Sequence, residues 1–201
     1  MFNHVCSCIV DDLLYLGSDV VAKDLNKLKS NGITHVVNCA ADYSADYHID
    51  KGIKYLSLHL KDHVRENIEC SFYEVIEFIK KAKAENGRVF IHCVQGISRS
   101  STMILCYMIF TQKITFEEGL NHVRERRQIA NPNMSFSAQL IWFHKRLYSS
   151  NFDDIKVYPR VFLISSHQPE DPYKISARLQ IDEFYSANSK KALDPRAMFI
   201  I

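Results

Sequence analysis

The sequence predicts an α/β fold, with a central, largely parallel sheet flanked by helices. Three observations carry that expectation. Short β-branched apolar runs alternate with longer segments of helical apolar spacing, an order that calls for crossover connections and parallel strands. The segment Ser101 to Thr111 is apolar on nearly all sides, which marks it as a buried central helix. Between it and the run Val89 to Ile91 lies a short loop holding Gly96, so that stretch reads as strand, tight loop and helix N-terminus. Open α/β sheets bind their ligands at such carboxyl ends.

The elements follow in order. Ile9-Val10 and Leu13 to Leu16 read as a short hairpin around Asp11-Asp12. Asp19 to Ser30 has helical spacing at Val20, Leu25 and Leu28, with Ser18 as N-cap and Gly32 just past the end. Ile33 to Val37 is a strand, Ala41 to Lys51 a polar loop, and Ile53 to Leu58 a further strand. Ile68 to Asn86 is a long helix with Phe72, Val75, Ile76 and Ile79 on one face, stopped by Gly87. Arg88 to His92 is the strand feeding the loop. Thr115-Phe116-Glu117-Glu118 is a capping box opening another helix, and a last helix runs from about Ser135 to Tyr148. After Ser149-Ser150-Asn151 the character changes. Pro159, Pro169, Pro172 and Pro195 all fall in this tail, and Val161 to Ile164 and Met198 to Ile201 read as short strands. Residues 1–150 are expected to form one domain and residues 151–201 a C-terminal extension.

Composition excludes little but bounds much. A net charge of +2 with 24% charged residues demands no nucleic acid or membrane partner. Met1 to His4 opens no signal peptide, and the longest apolar run, Met103 to Phe110, is too short to span a bilayer. Six cysteines without a secretion signal read as reduced thiols in the cytoplasm or nucleus. His4, Cys6 and Cys8 are followed by no second ligand pair at finger spacing, so no metal is expected.

The chemistry concentrates in His92-Cys93-Val94-Gln95-Gly96-Ile97-Ser98-Arg99-Ser100. A loop at a helix N-terminus turns successive backbone N–H groups, here those of Val94, Gln95, Gly96, Ile97, Ser98 and Arg99, toward one concavity that suits a phosphate dianion. Arg99 supplies a planar fork matched to two phosphate oxygens. The positive field at the floor favours the thiolate of Cys93, and a nucleophile under a phosphate cradle means phosphoryl transfer. A Cys at a strand end is otherwise an inert small hydrophobe, and a bare Cys-x5-Arg arises by chance. The flanking His, central Gly and Ser-Arg-Ser make the longer string far rarer.

At these residues the chain resembles the Cys-x5-Arg phosphatases, and among them the dual-specificity protein phosphatases. Tyr15-Leu16-Gly17-Ser18, Ile33-Thr34-His35-Val36-Val37-Asn38 and Asn131-Pro132-Asn133 extend the likeness over about residues 9 to 148. The loop looks most like that of MAP-kinase phosphatases. Leu193 to Ile201 is similar to the region leading into a gelsolin-like segment in plant members, so the extension is expected as the start of a truncated module of that kind or as a packed appendage.

The resemblance implies the Cys-x5-Arg phosphatase fold and hydrolysis of phosphotyrosine and phosphoserine/threonine without cofactor. It implies phosphoprotein substrates, MAP kinases among them by analogy. A catalytic region beginning near residue 9 is expected to leave no room for a preceding kinase-docking domain. The absence of lysine at positions 94, 95 and 97 speaks against inositol lipids. The resemblance places the general acid at Asp62, which from the residues alone reads equally as a solvated surface Asp, with His63 and Glu66 as rivals. It also gives Ser100 the role of stabilising the departing thiolate.

Supporting residues stay open between two readings. His92 either holds the loop or is simply a satisfied buried histidine. Asn38 is a strand-end turn residue or a support of the site, and Asn133 a helix cap or a support. Arg124, Arg126 and Arg127 read as a solvated helix face or as contacts for an acidic substrate. Cys39 reads as a small core residue or as a redox partner of Cys93. Two other classes share parts of the pattern: a non-catalytic phosphoprotein-binding module and a rhodanese-like sulfurtransferase.

Overall fold

The sheet puts its most apolar strand at the centre. The structure, a computed structural model, describes residues 2–148 and, of the tail, the strands at 162–168, 171–179 and 198–200. It divides into two units, Met1–Ser149 and Ser150–Ile201. In the first, β1 (Ser7–Val10), β2 (Leu14–Ser18), β3 (Ile33–Asn38), β4 (Lys54–Ser57) and β5 (Arg88–Cys93) lie in the order β1-β2-β5-β3-β4. The β1–β2 hairpin is antiparallel, and all other pairs are parallel. The expected largely parallel α/β sheet is therefore present.

Side chains alternate across β5, so each face needs its own cover. Val89, Ile91 and Cys93 enter the larger core with residues of α3 (Phe72–Ala84), α4 (Arg99–Gln112) and α6 (Met134–Tyr148). Phe90 enters the smaller core with Val21 and Leu28, from the short helices α1 (Asp19–Lys23) and α2 (Leu25–Ser30). Residues Arg99 to Ile109 of α4 are all buried, which explains why that helix shows no polar face. Between α4 and α6 runs α5 (Phe116–Arg126), opened by the expected Thr115/Glu118 capping box.

Several boundaries differ from the sequence expectation. The single helix over Asp19 to Ser30 is two, because Asp24 leaves helical geometry and its carboxylate accepts the Lys27 N–H at 3.0 Å, capping the second. Ser18 makes no capping bond, and its hydroxyl donates to the Asn3 carbonyl instead. The long helix begins as a 3-10 turn at Ile68–Ser71 and ends at Ala84, with Asn86 rather than Gly87 in the left-handed conformation. In the second unit β6 (Phe162–Gln168), β7 (Asp171–Leu179) and β8 (Met198–Ile200) form an antiparallel sheet, β7-β6-β8. The sequence reading found two of these strands and missed β7; Val161 and Ile201, which it included, lie outside the described residues. Among the described residues no helix is long and apolar enough to cross a membrane, and no cluster of His, Cys, Asp and Glu could hold a metal.

Candidate active site

Cys93 ends β5 and Arg99 begins α4, so the five residues between them form the turn at the sheet's carboxyl edge. The turn requires its glycine. Gly96 has φ +68°, and a Cβ there would lie 2.3 Å from the carbonyl oxygen of Gly17. Cys93 is 2% exposed, and its sulfur accepts the Gly96 N–H at 3.3 Å, with Ser100 Oγ at 3.2 Å. Both contacts stabilise negative charge on sulfur. Arg99 is buried; its Nη1 donates to the Leu60 carbonyl at 3.0 Å, while its Nε meets no hydrogen-bonding partner among the described residues. A buried donor left open beside a nucleophile is a place for an anion's oxygen.

Asp62 stands over this loop on the segment after Leu60. Its Oδ1 accepts from Ser98 Oγ at 2.8 Å and from Asn133 Nδ2 at 3.0 Å, and its Oδ2 lies 3.7 Å from Arg99 Nε. Ser98 Oγ in turn accepts the Asn133 N–H at 3.2 Å. Asn133 is at once a helix cap and a support, since its Oδ1 accepts the Phe136 N–H in the first turn of α6. The two rivals for the acid role are occupied elsewhere. His63 Nδ1 accepts the Arg65 N–H, and Glu66 accepts the Lys61 N–H, so both shape the loop that carries Asp62. An open cavity of about 440 Å³ is lined by Cys93, Arg99, Ser98 and Asp62, with Val94, Gln95, Ile97 and Tyr43 around them.

The supporting residues divide. Asn38 Nδ2 donates to the Ser44 carbonyl (2.7 Å) and to Asp46 (3.0 Å), and its Oδ1 accepts from Ala40 N–H, so it fixes the loop after β3. The His92 ring lies flat against Phe90, with centroids 5.7 Å apart, and neither ring nitrogen meets a hydrogen-bonding partner among the described residues. Burial pushes its pKa down to about 4, so the imidazole is neutral at pH 7. Cys39 is buried in the same apolar cluster as Cys93, and its N–H donates to the His92 carbonyl at 2.9 Å.

Two roles were not anticipated. Arg127 is fully buried, and its guanidinium donates to the carbonyls of Gly96 (2.7 Å), Gln95 (3.2 Å) and Val5 (3.2 Å). Burial lowers its pKa while the Cys93 and Cys6 sulfurs act the other way. Arg124 and Arg126 bond instead to Ala130 and His122, away from the cavity. One signal could have separated the three: Arg127 lies four residues after the buried Val123, on the same helical face. Tyr43, whose ring centroid is 6.0 Å from the Arg99 guanidinium carbon, had no signal in a polar loop.

A cysteine, a buried guanidinium and a carboxylate thus line one cavity at this turn. The profile of the dual specificity phosphatase catalytic domain matches residues 14–146, and the chain belongs to that family. Over 200 residues, all of this chain and 24% of the relative, it is 34% identical to the protein-tyrosine-phosphatase MKP1 of Arabidopsis thaliana. It is 37% identical over 134 residues to human dual specificity protein phosphatase 1, covering 67% of this chain and 36% of that protein. The chain thus spans about a quarter to a third of these relatives. A human tyrosine phosphatase-like serine/threonine/tyrosine-interacting protein superposes with a TM-score of 0.65 at 29% identity, covering 71% of this chain and 97% of that structure. DUSP15 gives 0.63 at 28%, covering 76% and 97%. These relatives make the chain similar to MAP-kinase phosphatases within the family.

Proposed function

We propose that the chain hydrolyses phosphotyrosine and phosphoserine/threonine in proteins through a cysteinyl-phosphate intermediate. The observation that carries this reading is the convergence of Cys93, Arg99 and Asp62 on one cavity. The Cys93 thiolate attacks phosphorus and the P–O ester bond breaks, while Asp62 gives its proton to the departing oxygen. Asp62, now ionised, takes a proton from water as that water attacks phosphorus and the S–P bond breaks, releasing phosphate and the Cys93 thiolate. The Arg99 fork and the loop N–H groups hold the equatorial oxygens, and Ser100 Oγ stabilises the sulfur as it leaves. No metal or cofactor enters either step.

Residues 1–150 carry this activity in our reading, with 151–201 as an extension that takes no part in it. MAP kinases are the substrate class in this reading, supported by the likeness to MKP1, and the cytoplasm or nucleus its place of action. Release of phosphate from para-nitrophenyl phosphate, run beside a thiosulfate sulfurtransfer assay, tests the reaction class. Turnover of the ester alone, lost in Cys93→Ser and in Arg99→Lys, is the expected result. Phosphate binding without turnover would leave a binding module, and sulfurtransfer would overturn the reading outright. Deleting residues 152–201 is expected to leave turnover of small substrates largely intact.

A further inference from the structure

We propose that Tyr43 forms an aromatic wall that makes this site prefer phosphotyrosine to phosphothreonine; the inference rests on the phosphatase reading and deepens it. Tyr43 is 66% exposed and lines the cavity. It is held there by its backbone. Tyr43 N–H and Ser44 N–H donate to the Ala40 carbonyl at 2.8 and 2.9 Å, and Ala41 N–H donates to Leu58. Asn38 grips the same loop at Ser44 and Asp46, while Ser57 Oγ donates to Asp46 at 2.5 Å. An exposed ring on so well-bonded a loop is presented to a ligand already in place.

Its position relative to Arg99 decides what it can touch. With the ring centroid 6.0 Å from the guanidinium carbon, Tyr43 lies directly beside the place a phosphate would occupy. A phosphate on Arg99 neutralises the cation and weakens its hold on the ring, leaving that face to the substrate. A phenyl ester held at Arg99 extends its ring into the cavity that Tyr43 lines together with Val94 and Ile97. The side chain of threonine ends within one carbon of its ester oxygen and gives that wall little to cover. Aromatic pairing of this kind corresponds to roughly 3–10-fold in binding.

Two peptides of identical flanking sequence, one with phosphotyrosine and one with phosphothreonine, provide the test. Their ratio of kcat/KM is measured for the unchanged chain, Tyr43→Ala and Tyr43→Phe, and their ratio of Kd by calorimetry for the same set in the Cys93→Ser background. Tyr43→Ala should lower the phosphotyrosine-to-phosphothreonine ratio of kcat/KM by about 3–10-fold, chiefly through KM, and raise the same ratio of Kd to match, and Tyr43→Phe should restore both. A ratio that is unchanged in Tyr43→Ala, or shifted equally in Tyr43→Phe, overturns the aromatic wall. Absence of turnover from every substrate would overturn the phosphatase reading instead, while the Kd ratios would still judge Tyr43.

Discussion

Arg127 Nε donates to the carbonyl oxygen of Gly96 at 2.7 Å, at the one loop position where a glycine is sterically required. A carbonyl drawn toward a buried guanidinium is a carbonyl kept away from a bound anion. The carbonyl of its neighbour Gln95 is held the same way, so Arg127 fixes the orientation of two successive peptide carbonyls of the loop.

Arg127→Met should therefore cost both stability and rate. Three buried carbonyls lose a charged donor, worth about 3 kcal/mol together. Slackening of the loop should lower kcat/KM by about 10²-fold even where the variant is fully folded. Denaturant midpoints and ester turnover at low temperature check the pair of effects. Wild-type values for both would show that the loop keeps its shape without this residue.

Asp62→Ala should reduce kcat by about 10²–10⁴ on alkyl and peptide phosphates and much less on an activated aryl phosphate, whose leaving group needs no proton. The basic limb of its pH–rate profile should disappear. If that limb survives unchanged, the acid lies elsewhere, and His63 and Glu66 are the residues to replace next.

The neutral His92 ring makes stability depend on acidity. Its pKa in the fold, about 4, is below the ordinary 6.5, so the unfolded chain takes up a proton that the folded one refuses. Full stability is present above about pH 6.5 and is lost as pH falls toward 4, by at most about 1.4 kcal/mol per pH unit and about 3 kcal/mol in all. Urea midpoints between pH 7.5 and 4 for the unchanged chain and His92→Asn test this. The variant should show the shallower slope, and identical slopes would remove His92 as the cause.

For Cys39 we propose a protective role toward the nucleophile. Peroxide would oxidise the Cys93 thiolate to the sulfenic acid, and the Cys39 thiol would displace water from it to form a disulfide. The shared core cluster and the Cys39 N–H to His92 carbonyl bond support the proximity of the two residues. Peptide mapping after peroxide should find a Cys39–Cys93 link reversed by dithiothreitol. Sulfonic acid at Cys93 beside an unreacted Cys39 would dispose of the idea.

The sequence made the sheet legible because β5 and α4 are apolar on both faces, and only a central position satisfies such segments. The loop was legible because Cys93, Gly96 and Arg99 must be close in sequence to share one turn. Asp62 and Asn133 come from segments 71 residues apart that meet only across the fold, so periodicity could not join them. Resemblance nominated them separately. Arg127 was read with Arg124 and Arg126 as a surface face because charge is ordinarily solvated; a guanidinium buried among carbonyls is the exception that spacing alone underweights. The break at Asp24 went unseen because local capping there outcompetes a continuous helical pattern.

Asn133 ties the first turn of α6 to Asp62, the proposed proton donor. Fraying at the start of α6 would withdraw the donor's clamp while the thiol, the arginine and the turn between them remained intact. Such a molecule would still capture a phosphorylated side chain and would be slow to cleave it, becoming a trap for its own substrate. On warming, turnover should accordingly fail before affinity does, with the onset of failure set by the cap of one helix rather than by the melting of the sheet.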